Sequence, residues 1–174
     1  DDEMISLLKE SGLKLVYIGI ESSNPQVLKD IKRFTVTNDE QQIIIDKLVK
    51  NGIFVKSMFM FGNPEDTESS VKNTIDYSMM LSNQLVQYSV FTPYPGTPIF
   101  NIYKDKINES NYEKFNQYNL IFNHKNLDNN KIKNLKNFGY KKFYFRLKNI
   151  PIIAKSCLSL ITFFIHKMNF RQIN

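Results

Sequence analysis

Three short apolar runs rich in β-branched and aromatic residues, Leu15 to Ile20, Ile53 to Phe61 and Leu85 to Thr92, set the limits on what this chain can fold into. Each is entered from a plain turn (Ser11-Gly12, Asn51-Gly52, Ser82-Asn83) and leaves through an elaborate one (Glu21 to Asn24, Gly62 to Thr67, Thr92 to Pro98). Runs of this length between turn residues read as buried strands. The segments joining them are too long for hairpins and have helical periodicity, so right-handed crossovers and a parallel sheet are expected. In parallel α/β folds the C-terminal ends of all strands face one rim, and ligands bind there. Three elaborate turns on that rim point to a binding site.

The helices carry their own signals. Met4, Leu7 and Leu8 share one helical face before a stop at Gly12. Asn24 followed by Pro25 is an N-cap with proline at the first helical position, opening a helix that holds Val27, Leu28 and Ile31 and runs to Lys32 and Arg33. Thr37 and Glu40 have capping-box spacing ahead of Ile43, Ile44, Leu48 and Val49, and Thr67 caps a helix striped with Val71, Ile75 and Met79. Glu21 is the awkward residue, because a carboxylate at a buried strand end is costly unless paired. A capping or ion-paired glutamate is the plain account of it.

With 174 residues and 42% hydrophobic content the chain suits one compact domain. It opens on Asp1 and Asp2 with a helix already in progress, so it is expected to be the C-terminal part of a longer protein. Residues 1–100 carry 9 basic and 13 acidic side chains, whereas residues 101–174 carry 14 basic and 4 acidic ones. The expected organisation is an α/β core over 1–107, an irregular asparagine-rich connector over 108–130, and a helical basic tail over 131–174. Lys131 to Lys148 holds seven basic and no acidic residues, interleaved with Phe138, Tyr140, Phe143, Tyr144 and Phe145. Ile150 to Met168 is apolar, but its longest charge-free run, Ser156 to Ile165, is ten residues, and a spanning helix needs about 20. A docked or interfacial helix is the expectation, with peripheral membrane contact through 131–168 favoured over nucleic acid. The one cysteine, Cys157, excludes an internal disulfide and fits a reducing, cytoplasmic setting. His124 and His166 stand alone, without a second ligand at metal spacing.

GIESSNPQVLKDIKR, Gly19 to Arg33, resembles the fourth strand and following helix of radical S-adenosylmethionine (SAM) enzymes. MFMFGNPEDTESSVKNTIDY, Met58 to Tyr77, resembles their fifth strand with its Gly-x-Pro-x-x-Thr turn, and FTPYPGTPIF, Phe91 to Phe100, resembles the sixth. The group with an N-terminal cobalamin-binding domain is the most similar. YKKFYFRLKNI in the tail resembles the Phe-Tyr-x-Arg segment that closes such chains.

The resemblance implies the second half of a partial (β/α)6 TIM-like barrel with parallel strands. It implies SAM as cofactor, with Glu21 near the ribose, Ser22 beside it, and Arg33 pairing with the methionine carboxylate. Met60, the backbone at Gly62 and the stretch around Tyr94 would lie near the adenine. The plain alternatives stay open: Met60 as core, Tyr94 as turn anchor, Arg33 as a charge favourable to a helix C-terminus. The family holds a [4Fe-4S] cluster on three cysteines spaced Cys-x3-Cys-x2-Cys and cleaves SAM reductively to start radical chemistry. This chain has only Cys157. It is therefore expected to be inactive alone, whereas the complete enzyme would methylate or rearrange a small-molecule or lipid-like substrate, with cobalamin as a further cofactor. The reading from another class is a non-catalytic module that binds a membrane surface or RNA through its basic tail.

Overall fold

The computed structural model describes residues 2–31 and 37–146. Strands β1 (Leu15–Glu21), β2 (Phe54–Phe61) and β3 (Leu85–Val90) form one parallel sheet in the order β1-β2-β3. Helices α1 (Asp2–Glu10), α2 (Pro25–Asp30), α3 (Asn38–Lys50), α4 (Glu68–Met80), α5 (Pro98–Tyr103) and α6 (Asn129–Tyr144) complete the described elements, with 3₁₀ turns at Lys104–Lys106 and Tyr112–Lys114. The expected α/β fold with parallel crossovers is present.

Local chemistry sets the helix starts. The Asn24 side chain accepts from Gln26 N with Pro25 leading α2. Thr37 and Glu40 close a reciprocal capping box on α3, and Thr67 and Ser70 do the same on α4.

Alternation along the strands separates two faces. Val55, Ser57, Phe59 and Phe61 of β2, with Val86, Tyr88 and Val90 of β3 and Ile20 of β1, are buried beneath the helices. Lys56, Met58, Met60, Gln87 and Ser89 occupy the other face and are only half-buried. On that face Lys56 Nζ lies 4.9 Å from the centre of the exposed Tyr17 ring. Parallel sheets are ordinarily covered on both sides. Among the described residues this one is covered on one.

Tyr88 is the hub of the covered face. Its hydroxyl lies 2.7 Å from Ser78 Oγ on α4, and its ring stacks on Phe61 at 4.8 Å and tilts against Tyr140 of α6 at 5.0 Å. A Cβ at Gly139 would come within 2.8 Å of Tyr88 Cε2, so α6 reaches the sheet only because residue 139 has no side chain. The same helix, together with the connector before it, closes the edge of β3. Tyr88 N donates to Tyr140 Oη at 3.1 Å, Tyr144 Oη donates to Val86 O at 3.3 Å, and Val90 N donates to Gln117 O at 2.7 Å. An unpaired strand edge would otherwise invite further pairing. Arg146 then donates to Met79 O (3.0 Å) and Asn83 O (2.6 Å) at the end of α4, stacked 3.7 Å over the Phe143 ring. Burial lowers its pKa to about 10, which leaves it charged at neutral pH.

Several faces differ from those read in the sequence. In α1 Ile5 is buried while Met4 and Leu7 are exposed, and in α3 Gln41, Ile45 and Leu48 face inward while Ile43 and Ile44 are exposed. Gln41 is drawn in by the Tyr77 hydroxyl, which donates to its Oε1 at 3.0 Å. Residues 108–130 are irregular, yet Phe115, Leu120, Ile121, Phe122 and Leu127 belong to the core. The basic stretch from Lys131 is helical to Tyr144, and it buries Ile132, Leu135 and Phe143 in that same core. Cys157, His166 and the apolar run from Ile150 lie outside the described residues, of which no helix is long and apolar enough to cross a membrane.

Alanine is the better helix former, so Gly139→Ala separates propensity from packing. The contact with Tyr88 is expected to win and to lower the unfolding free energy by about 1–3 kcal/mol, read from the urea midpoint. A raised midpoint would contradict the packing described.

Candidate binding rim at the strand ends

β1 ends in strain. Ser22 N donates back to Ile20 O at 2.9 Å around Glu21, whose φ is +67°, and the pairing with β2 shifts register between Gly19 and Glu21. This is a γ-turn of the rare positive-φ kind, on a residue with a side chain, and such a conformation costs about 1–3 kcal/mol. Hydrogen bonds from the next two residues hold it. Ser22 Oγ accepts from Asn24 N at 3.1 Å and lies 3.5 Å from Thr74 Oγ1 on α4, which Ser23 also meets through its amide (3.3 Å) and its hydroxyl (3.1 Å). Ser22 is buried by this arrangement, while the Glu21 side chain stays half-buried at the strand end.

The other sequence-derived residues divide by position. Met60 lies half-buried on the open face, one residue beyond Phe59, the register partner of Glu21. Gly62 has φ +76°, the left-handed region that favours glycine, and a Cβ there would press on Leu120 Cδ1 at 3.3 Å and Ile132 Cδ1 at 3.4 Å. Tyr94 is exposed, and its carbonyl accepts the Thr97 hydroxyl at 2.6 Å where Thr97 caps α5. Arg33 lies outside the described residues.

The β2–α4 turn is a buried polar knot that sequence reasoning missed. Asp66 Oδ2 accepts from Asn63 N (2.9 Å) and Asn63 Nδ2 (3.1 Å), and its Oδ1 accepts from Ser70 Oγ (2.7 Å). His124 Nδ1 accepts two backbone amides, Asn126 N at 3.0 Å and Leu127 N at 3.1 Å. Its proton therefore sits on Nε2, which donates to Asn63 O at 2.8 Å. Asn126 Nδ2 donates to Asp66 O at 2.9 Å. A histidine that looks isolated in sequence thus ties the connector to the rim. Burial pushes the Asp66 carboxyl above the usual range, against the hydrogen bonds from Ser70 and Asn63.

Beside the knot is a cavity of about 200 Å³ walled by Val27, Ile31, Phe91 and Ile99, with Asp30, Glu65 and Tyr103 also lining it. Burial raises the Tyr103 pKa, and the charges of Glu65 and Asp30 add to the rise. Glu21, Ser22, Met60, Gly62 and Tyr94 are not among its lining residues. Among the described residues no group of three His, Cys, Asp or Glu side chains is placed to hold a metal ion.

The sequence model of the Radical SAM superfamily matches residues 1–78, which hold β1, β2 and the turns that follow them. The chain is 32% identical over 136 residues to the bacteriochlorophyllide d C-12(1)-methyltransferase of Chlorobaculum tepidum, covering 78% of this chain and 29% of the relative. It is 25% identical over 146 residues to the anaerobic magnesium-protoporphyrin IX monomethyl ester cyclase of Cereibacter sphaeroides, covering 84% of this chain and 24% of the relative. The chain therefore spans under a third of the length of these curated relatives. The fold is also that of part of the radical SAM methyltransferase TsrM from Kitasatospora setae, solved with cobalamin and a [4Fe-4S] cluster bound, with a TM-score of 0.52 and 23% identity over 60% of this chain and 21% of that one.

Because the Asp66 pKa is raised, the folded state holds this proton more tightly than the unfolded chain does. The stabilisation is complete below the ordinary aspartate range and is lost as pH rises through the folded pKa. In Asp66→Asn the amide can donate to Ser70 Oγ and its oxygen can still accept from Asn63. Urea midpoints of the two proteins between pH 3 and 7 are expected to show the wild type losing stability relative to the variant as pH rises. A wild type that gains relative to the variant over that interval would reverse the sign.

Proposed function

We propose that this chain supplies three C-terminal βα units of a radical SAM barrel, with the open sheet face turned to the barrel interior and the rim at Glu21 holding SAM. The observation that carries the reading is the strained Glu21 turn, lying inside the stretch matched by the superfamily. Strain on a non-glycine residue at a strand end persists where the surroundings over-determine it, and such positions cluster at ligand sites.

The residues fit the cofactor unequally. The Glu21 carboxylate accepts a ribose hydroxyl, a charge-assisted bond of the stronger kind. Met60 offers its side chain on the open face, and Tyr94 an exposed ring at the next strand end. Ser22 serves differently: its hydroxyl is engaged by Asn24 and Thr74, so it holds the Glu21 turn in place. Gly62 serves by allowing β2 to turn beneath Leu120 and Ile132. Arg33, twelve positions after Glu21 in sequence and outside the described residues, is assigned the methionine carboxylate, which its guanidinium can grip with paired donors.

SAM bound with a [4Fe-4S] cluster supplies radical chemistry. The residues of this chain do not fit the cluster, since Cys157 is its one cysteine and no other ligand set is assembled among the described residues. Methyl transfer is the reaction class favoured for the whole protein, with ring rearrangement second; the names of the methyltransferase and the cyclase support these choices. Cobalamin is proposed as a further cofactor, held outside this chain.

Two measurements test the reading. The 174-residue chain, treated anaerobically with iron and sulfide, is expected to give no [4Fe-4S] absorption band and no SAM cleavage. A cluster band with turnover would overturn that. In equilibrium dialysis the chain is expected to bind SAM, and Glu21→Gln to weaken binding about tenfold or more, as loss of a hydrogen bond to a charged group does. Unchanged affinity would remove Glu21 from the site, and no SAM binding by the parent chain would contradict the rim assignment.

A further inference from the structure

The basic stretch in the C-terminal part is divided by the fold into two populations. Tyr140, Phe143 and Tyr144 pack inward and serve the core. Lys131 and Lys142 turn toward α4, where they pair with Glu68 and Asp76. At 3.6 residues per turn, Lys133, Asn134, Asn137, Phe138 and Lys141 line the side of α6 away from its buried Ile132, Leu135, Gly139 and Phe143, and all five are exposed. Phe145 follows on the same side and is 83% exposed, with Phe138 47% exposed. α6 has no acidic residue beyond its N-cap Asp128, and neither Lys133 nor Lys141 has an ion-pair partner among the described residues.

We propose that this ridge of α6 docks on an anionic lipid bilayer, with Lys133 and Lys141 at the phosphate level and Phe138 and Phe145 entering the headgroup region. Lysines near a charged membrane surface and aromatics at its apolar boundary are the two features that hold interfacial helices. In sequence the ridge is followed by Lys148 and by the apolar stretch from Ile150 to Met168. RNA, the other polyanion, would draw on the lysines equally, but two phenylalanines seven positions apart and followed by an apolar run suit a hydrocarbon boundary better than a row of bases. The inference does not depend on SAM binding.

Because α6 is a core helix, deleting residues 131–174 would unfold what it is meant to test. The test uses charge reversal in the full chain: Lys133→Glu with Lys141→Glu, checked by circular dichroism for an unchanged thermal midpoint, with Lys133→Gln and Lys141→Gln as a milder pair. Parent chain sedimented with phosphatidylcholine vesicles containing phosphatidylglycerol is expected to bind, and binding should fall with salt. Each basic residue near an anionic surface contributes roughly fivefold in partition, so the reversal pair should weaken binding at least about tenfold. Phe145→Ser should weaken it without altering the salt dependence. Equal binding to pure phosphatidylcholine vesicles, no binding to anionic ones, an unchanged partition for both lysine pairs, or binding to single-stranded RNA with none to vesicles would each overturn the proposal.

Discussion

The structure depends on a parallel sheet that, among the described residues, is buried on one side only. Strands β2 and β3 alternate so that Val55, Phe59, Phe61, Val86, Tyr88 and Val90 lie under α4 and α6, and this face is the floor on which the helices and the connector build the described core. The anchors of α4 and α6 meet at Tyr88, which is bonded to α4 through Ser78 and sits against α6 at Gly139. The opposite face cannot be a second core: Lys56, Gln87 and Ser89 are too polar to bury without partners of their own. A sheet so divided is suited to face an interior that also holds polar ligands, as the inner wall of a barrel does.

The same division explains how the rim is kept in shape. At β1 the strain of Glu21 is opposed by hydrogen bonds running from Ser22 and Ser23 to Thr74, so α4 fixes the strand end before its own. At β2 the turn is fixed by Asp66 beneath Asn63 and by His124 reaching in from the connector. Buried polar networks of this sort hold a turn in place, although Asn63 Oδ1 in the second is buried with no hydrogen-bond partner. Both are built from polar side chains that bond to one another and to backbone.

Much of the fold was legible in the sequence because its signals are local. Asn24-Pro25, the Thr37/Glu40 box and Thr67 each satisfy their own helix start, and the three apolar runs became the three strands with ends within a residue or two. The helix faces were less legible, since Ile43 and Ile44 are as apolar as Ile45 and only the position of β2 decides which is buried. The role of residues 108–130 was hidden because Phe115, Leu120 and Phe122 enter the core from irregular backbone, where no period announces them. For the site, sequence placed Glu21 at a strand end but had no means of showing that its φ is positive, nor that Ser22 is tied to Asn24 and Gly62 faces Leu120 and Ile132. The aromatics of the basic segment looked alike in sequence, and packing alone separates Tyr140 and Phe143 from Phe138 and Phe145.

Hydrogen–deuterium exchange with and without saturating SAM tests the central claim most directly, because it asks each strand end separately. The account predicts slowed exchange over Gly19–Asn24 and Met60–Asn63 when SAM is present, with the α6 amides unchanged. Protection confined to α6 or to α1, or the same exchange pattern with and without SAM under saturating conditions, would contradict a cofactor rim at the strand ends.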